Sequence, residues 1–328
     1  MSKGAYDAGA HRRAASSRSS MRKEQVFTGK DLDPRMDLRL KPYRECISSP
    51  VYTRVRPVIF GPDETGSMHA IPQFLATDPR GLPGMVKAIY PFMEGPQICF
   101  IGVGDSRCYG GGERAPLQVG EFEGEGHLMD QWLQSIALIG GGGGNGGESY
   151  ELPLFVAARL VRSDCWERGD MGYLFLTGDD SPFPQIRAHD VQRLIGIRIE
   201  QDIPLEEIIA EVKTKWHPFF LIPDPARARY CENDWRRYLG DSVIVLESHH
   251  DTALVTAGLI GLTEKTLTDL DLFDQMMLEE FDTKDRTQRS RIIHTLEAYA
   301  ATQNLAGQQR SVDPEAASEE RESGNARA

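Results

Sequence analysis

Between residues 51 and 262, short apolar runs that end in an acid or a glycine alternate with longer segments whose apolar residues recur every three or four positions. Val58-Ile59-Phe60-Gly61-Pro62 stops abruptly at Asp63-Glu64-Thr65-Gly66-Ser67-Met68, and Ile98-Cys99-Phe100-Ile101 runs into Gly102-Val103-Gly104-Asp105. A third run, Gly172-Tyr173-Leu174-Phe175-Leu176, ends in Thr177-Gly178-Asp179-Asp180. Such runs, bounded by Gly and Pro, read as strands buried on both faces. His217–Ile222 and Ser242–Leu246 read as two more, and Leu117–Phe122 alternates like an edge strand.

Helical spacing covers Ile71–Pro91, interrupted near Pro79–Pro83, then His127–Ile139 and Tyr150–Val161. Further helices are predicted over 187–200, over 204–216 with Pro204 at its first position, around Trp235–Leu239 and over Asp251–Leu262. Strands alternating with helices predict a mostly parallel α/β sheet covered on both faces across residues 51–262.

The flanks read differently. Residues 1–30, centred on Ser16-Ser17-Arg18-Ser19-Ser20, are polar, basic and without periodicity, the pattern of a disordered arm. Residues 31–50 carry Leu38, Leu40 and Tyr43 among charges and read as an extended lead-in. Residues 263–305, through Leu270, Phe273, Met277, Phe281 and Ile292–Tyr299, predict a helical C-terminal extension, and residues 306–328 a disordered tail.

Composition narrows the partner class. The 328 residues carry a formal charge of −12, but the first 45 hold eleven Lys/Arg against six Asp/Glu, which leaves the remainder near −17. An acidic body argues against nucleic acid as the main partner. Five cysteines without CxxC spacing read as reduced thiols. The chain shows no apolar run of about 18 residues and no signal-peptide pattern, so a soluble, cytoplasmic protein with no membrane contact is expected.

The strand ends carry the chemistry. Asp63, Thr65 and Ser67, at i, i+2 and i+4 in a tight turn, can converge on one hard cation, which prefers oxygen ligands. Gly140–Gly144 followed by Asn145-Gly146-Gly147 fits backbone passing close to another loop or a ligand. Glu148 and Ser149 then open a helix, where the dipole favours a carboxylate.

At these residues the chain resembles the von Willebrand factor A domain family. Asp63-Glu64-Thr65-Gly66-Ser67-Met68 is similar to that family's D-x-[ST]-G-S-M metal-ion-dependent adhesion site (MIDAS) motif. Gly142–Glu148 is similar to the G-G-G-D-x-P-E loop of a subset, with Asn145 for the Asp and Gly147 for the Pro. Thr177-Gly178-Asp179 resembles the turn that ends the fourth strand.

The resemblance spans about 200 residues from Pro57. It implies a Rossmann-like, doubly wound domain with Mg²⁺, or Mn²⁺ or Ca²⁺ in its place, at the top of the sheet. The ligands it implies are Asp63, Thr65, Ser67, Glu148 and Asp179, with Ser149 the alternative to Glu148 and Asp180 the alternative to Asp179. The implied function is that of an adaptor or scaffold rather than an enzyme, the ion accepting an Asp or Glu side chain of a protein partner. Intracellular bacterial members often work beside AAA+ ATPases, which makes such a system the partner the resemblance points to.

Two other readings stand beside it. Asp63-Glu64-Thr65-Gly66 is superficially close to the D-x-D-G motif of aspartyl-phosphate phosphatases, but Thr65 stands where the general acid is needed. A scaffold of this type with a non-functional metal site is the third. Ser248-His249-His250-Asp251 reads as a helix start capped by Asp251 with exposed imidazoles, Arg168-Gly169-Asp170 as a turn, and the four tryptophans as core or half-buried anchors.

Overall fold

The computed structural model describes residues 6–108, 114–140 and 147–303. Six strands form its central sheet: β1 (Arg56–Pro62), β2 (Pro96–Val103), β3 (Leu117–Val119), β4 (Gly172–Thr177), β5 (Trp216–Ile222) and β6 (Val243–Val245). Their order is β6-β5-β4-β1-β2-β3, all parallel except the edge strand β3, which runs antiparallel to β2. Every residue of β1, β2 and β4 is buried, which is why these strands are apolar without alternation.

Successive side chains enter opposite cores. Val58, Phe60, Phe100 and Phe175 face a layer built from α2 (Ala70–Thr77), α3 (Leu82–Ile89), α4 (Gly126–Ser135) and α9 (Thr252–Thr263). Ile59, Ile101, Leu174 and Phe220 face α5 (Glu151–Arg159), α7 (Leu205–Val212) and α8 (Pro225–Leu239), with Trp216 and Trp235 fully buried there. The short α6 (Ala188–Leu194) precedes α7 and ends where Gly196 takes a φ of +80°, well before residue 200. The fold is a Rossmann-like, doubly wound α/β sheet with helices on both faces.

Residues 6–30 depart from the expected disordered arm. Ala8–Arg18 form α1, followed by a single turn at Lys23–Val26, and α1 packs against α2, α3 and α4. Its anchors are polar or small, so it shows no apolar stripe: Ala15 and His11 are buried, and Tyr6 stacks on Tyr90. His11 Nε2 lies 3.2 Å from the buried Asp130 carboxylate, Arg18 donates to the same oxygen at 2.8 Å, and Tyr6 Oη lies 2.9 Å from His11 Nδ1. An isolated helix this short is marginal in water, so tertiary contacts hold it. Asp130→Ala removes the shared acceptor. It is expected to cost about 3 kcal/mol in urea unfolding and to open residues 8–30 to limited trypsin digestion.

The C-terminal extension docks onto the first core. α10 (Leu270–Glu279) and α11 (Arg286–Thr302) bury Phe273, Met277, Leu296 and Tyr299 against it. The expected tail over 306–328 lies outside the described residues. So does most of the glycine run, 141–146. No helix among the described residues is long and apolar enough to cross a membrane, and none of the five cysteines forms a disulfide.

Candidate functional site

The strand order places the site. From β1 the chain extends one way through β2 and β3 and the other way through β4, β5 and β6, so the loops after β1 and β4 diverge and leave a crevice at the carboxyl ends. The end of β1 is pinned from both sides. Asp63 N–H donates to Thr177 O at 3.2 Å, and Glu64 N–H to Val103 O at 2.7 Å.

Asp63 and Thr65 come together as their spacing predicts. Asp63 Oδ1 accepts from Thr65 N–H at 2.7 Å and from Thr65 Oγ1–H at 2.6 Å. Because the threonine's proton is spent on the carboxylate, its lone pairs remain for another acceptor of electrons. Asp63 Oδ2 accepts from the phenol of Tyr150 at 2.6 Å. Asp63 is fully buried, and that burial pushes its carboxyl up to about 7 despite these three donors, with Asp179 adding in the same direction. Burial likewise pushes the Tyr150 phenol well up, followed by the charges of Asp63 and Glu148.

Tyr150 is the residue the sequence did not point to. Its hydroxyl lies 2.0 Å from where a Cβ on Gly178 would stand, so only glycine fits after β4. The glycine in Thr177-Gly178-Asp179 was the available signal. Beside it, Thr177 Oγ1 is buried without a hydrogen-bond partner.

Ser67 and Asp179 meet at the mouth. Ser67 is exposed in the short 3₁₀ turn Gly66–Met68, Asp179 is buried, and both line a pocket of about 150 Å³ with Asp224, Arg227 and His249. Arg227 Nη2 stands 2.7 Å from Asp179 Oδ2. Asp180 is half-buried and turned to the Ser181 amide, and burial raises its carboxyl with Asp179 beside it.

The second loop separates its two candidates. Ser149 Oγ accepts from Ser106 N–H at 2.9 Å and donates to Ser106 Oγ at 2.8 Å, so its hydroxyl is committed to the loop after β2. Glu148 is buried, its amide bonded to Ser181 O at 3.1 Å, and its charge reaches Tyr150.

No three His, Cys, Asp or Glu side chains among the described residues group as a metal site. A cation here would therefore be held by hydroxyls together with carboxylates. The donor chemistry fits a hard divalent ion: a desolvated carboxylate at Asp63, the hydroxyl lone pairs of Thr65, and Ser67 with Asp179 at the pocket.

The remaining motifs are structural. Ser248 Oγ accepts from His250 N–H at 3.3 Å, and Asp251 accepts from Arg291 through both oxygens at 2.9 Å instead of capping a helix. Gly169 closes the Trp166–Arg168 turn with a φ of +80°.

No protein-family model matches the chain, and no curated protein matches it. Solved structures similar to it include the following three. Proximal thread matrix protein 1 from the mussel byssus is 9% identical (TM-score 0.41), covering 66% of this chain and 48% of that one. The pilus adhesin SpaC of Lactobacillus rhamnosus GG, in its open conformation, is 13% identical (TM-score 0.42), covering 70% and 31%. A von Willebrand factor type A protein from Catenulispora acidiphila is 13% identical (TM-score 0.37), covering 64% and 43%. The chain spans less than half the length of each of these.

Proposed function

We propose that the chain is a protein-binding adaptor of the von Willebrand factor A type, in which Asp63, Thr65, Ser67 and Asp179, with Glu148 behind them, hold a divalent cation of the Mg²⁺ class. The cation's exchangeable position takes an Asp or Glu side chain of a partner protein. An AAA+ ATPase system in the cytoplasm is the partner class we favour, on the resemblance alone.

The observation that carries this reading is the Asp63–Thr65 pair at the switch point: a buried carboxylate takes the Thr65 hydroxyl proton and leaves that oxygen's lone pairs unspent, two residues before the Ser67 that lines a pocket with Asp179. Binding is favoured over hydrolysis because Thr65 stands where a general acid would be needed and cannot act as one.

Millimolar Mn²⁺ or Mg²⁺ is expected to raise the melting temperature by about 3 °C, reversibly with chelator, as a ligand at roughly ten times its Kd would. Ser67→Ala, at an exposed position, should keep the fold and lose most of the shift. A wild-type melting temperature indifferent to both metals would sink the reading.

A further inference from the structure

The pocket that holds Ser67 and Asp179 also holds a cation of the protein's own. Arg227 lies in the first turn of α8, which Asp224 caps by accepting from Ala226 N–H at 2.8 Å. Among the described residues its ion pair is with Asp179, at 2.7 Å. The two ends of that pair differ: the Asp179 side chain is 7% exposed and the Arg227 side chain 44%. The acid is fixed at the strand end, while the arginine can swing into solvent without disturbing the core. An arginine in the first turn of a helix also opposes the helix dipole, so Asp179 offsets an unfavourable position.

We infer that Arg227 is a charge-exchange residue. With no cation bound it occupies Asp179. When a divalent ion takes the Asp179 carboxylate, Arg227 is released and takes up the acidic side chain that the partner brings. The inference rests on the reading of this site as a cation-dependent partner site and adds how ion and partner are coupled there. A guanidinium suits both roles, because its planar fork pairs equally well with a resident or an incoming carboxylate. The pocket, about 150 Å³, has room for one carboxylate group beside the arginine.

Two opposite effects of one substitution follow. Arg227 competes with the ion for Asp179 but assists the partner's acid, so its removal tightens the first interaction and weakens the second. By linkage, ion and carboxylate each strengthen the other in the wild type.

The experiment titrates Mn²⁺ into wild type, Arg227→Gln and Arg227→Lys, following free Mn²⁺ by electron paramagnetic resonance, with and without acetate as the carboxylate probe. Arg227→Gln is expected to bind Mn²⁺ roughly fivefold tighter than wild type, the scale of a partly exposed ion pair. Acetate should tighten Mn²⁺ binding most in wild type, less in Arg227→Lys and least in Arg227→Gln, where only the ion itself receives the carboxylate. Mn²⁺ affinity unchanged or weaker in Arg227→Gln overturns the competition while leaving the cation site standing. Equal acetate enhancement in wild type and Arg227→Gln overturns the exchange. Absence of Mn²⁺ binding in all three overturns the cation site and this inference with it. Circular dichroism melts of each variant confirm the fold.

Discussion

Asp63→Ala is expected to lower stability by about 3 kcal/mol at pH 6 and to erase any response to divalent cations, whereas Asp63→Asn should erase the response and leave most of the stability. Alanine strips the acceptor from three buried donors at once: the Thr65 amide, the Thr65 hydroxyl and the Tyr150 phenol. Asparagine keeps an acceptor at Oδ1 for Thr65 and presents an amide to Tyr150, whose hydroxyl can turn to accept. It lacks the negative charge that a cation requires. At pH 8 the alanine penalty should shrink, because the ionised carboxylate of the wild type then bears the desolvation that lifts it to about 7. Urea unfolding of the three proteins with and without Mn²⁺ reads both effects. An alanine variant as stable as wild type at pH 6, or an asparagine variant that still responds to Mn²⁺, would contradict the role given to this carboxylate.

The same residues show what a sequence makes legible. β1, β2 and β4 were readable because burial on both faces leaves continuous apolar runs, and the loops at their ends stand out as Gly and acid. α1 was not, because it is held by His11, Arg18 and Ala15 rather than by an apolar stripe. The first part of α8 escaped for a related reason: its buried face is Ala228, Cys231, Trp235 and Leu239, spread thinly among charges. In the candidate site the Asp63–Thr65 contact is local and follows from their spacing. Tyr150 and Arg227 reach the same crevice from helices far along the chain, and no local pattern aims a side chain across that distance. Only the fold brings them in.

A second large effect is expected one residue after Tyr150. Glu151 opens α5 fully buried; one carboxylate oxygen lies 2.9 Å from Arg107 Nη2, and the other is buried with no hydrogen-bond partner. Burial outweighs the Arg107 charge and raises the carboxyl from 4.5 to about 8. The folded state therefore holds a proton that the unfolded chain has released. The resulting stability is present in full below about pH 4.5, declines as pH rises from there, and is gone above about pH 8. The steepest loss is about 1.4 kcal/mol per pH unit. Asp63 contributes in the same direction up to about pH 7, so the comparison must be with Glu151→Gln rather than with wild type alone. Glutamine is neutral throughout and can still accept from Arg107, which also sits 3.4 Å from Asp190 and so is not left uncompensated. Glu151→Gln should match wild type within about 1 kcal/mol at pH 5 and exceed it by roughly 4 kcal/mol at pH 8.5, as read by urea unfolding across that range. A difference between the two proteins that stays constant with pH would mean that Glu151 is ionised throughout and that Arg107 outweighs its burial.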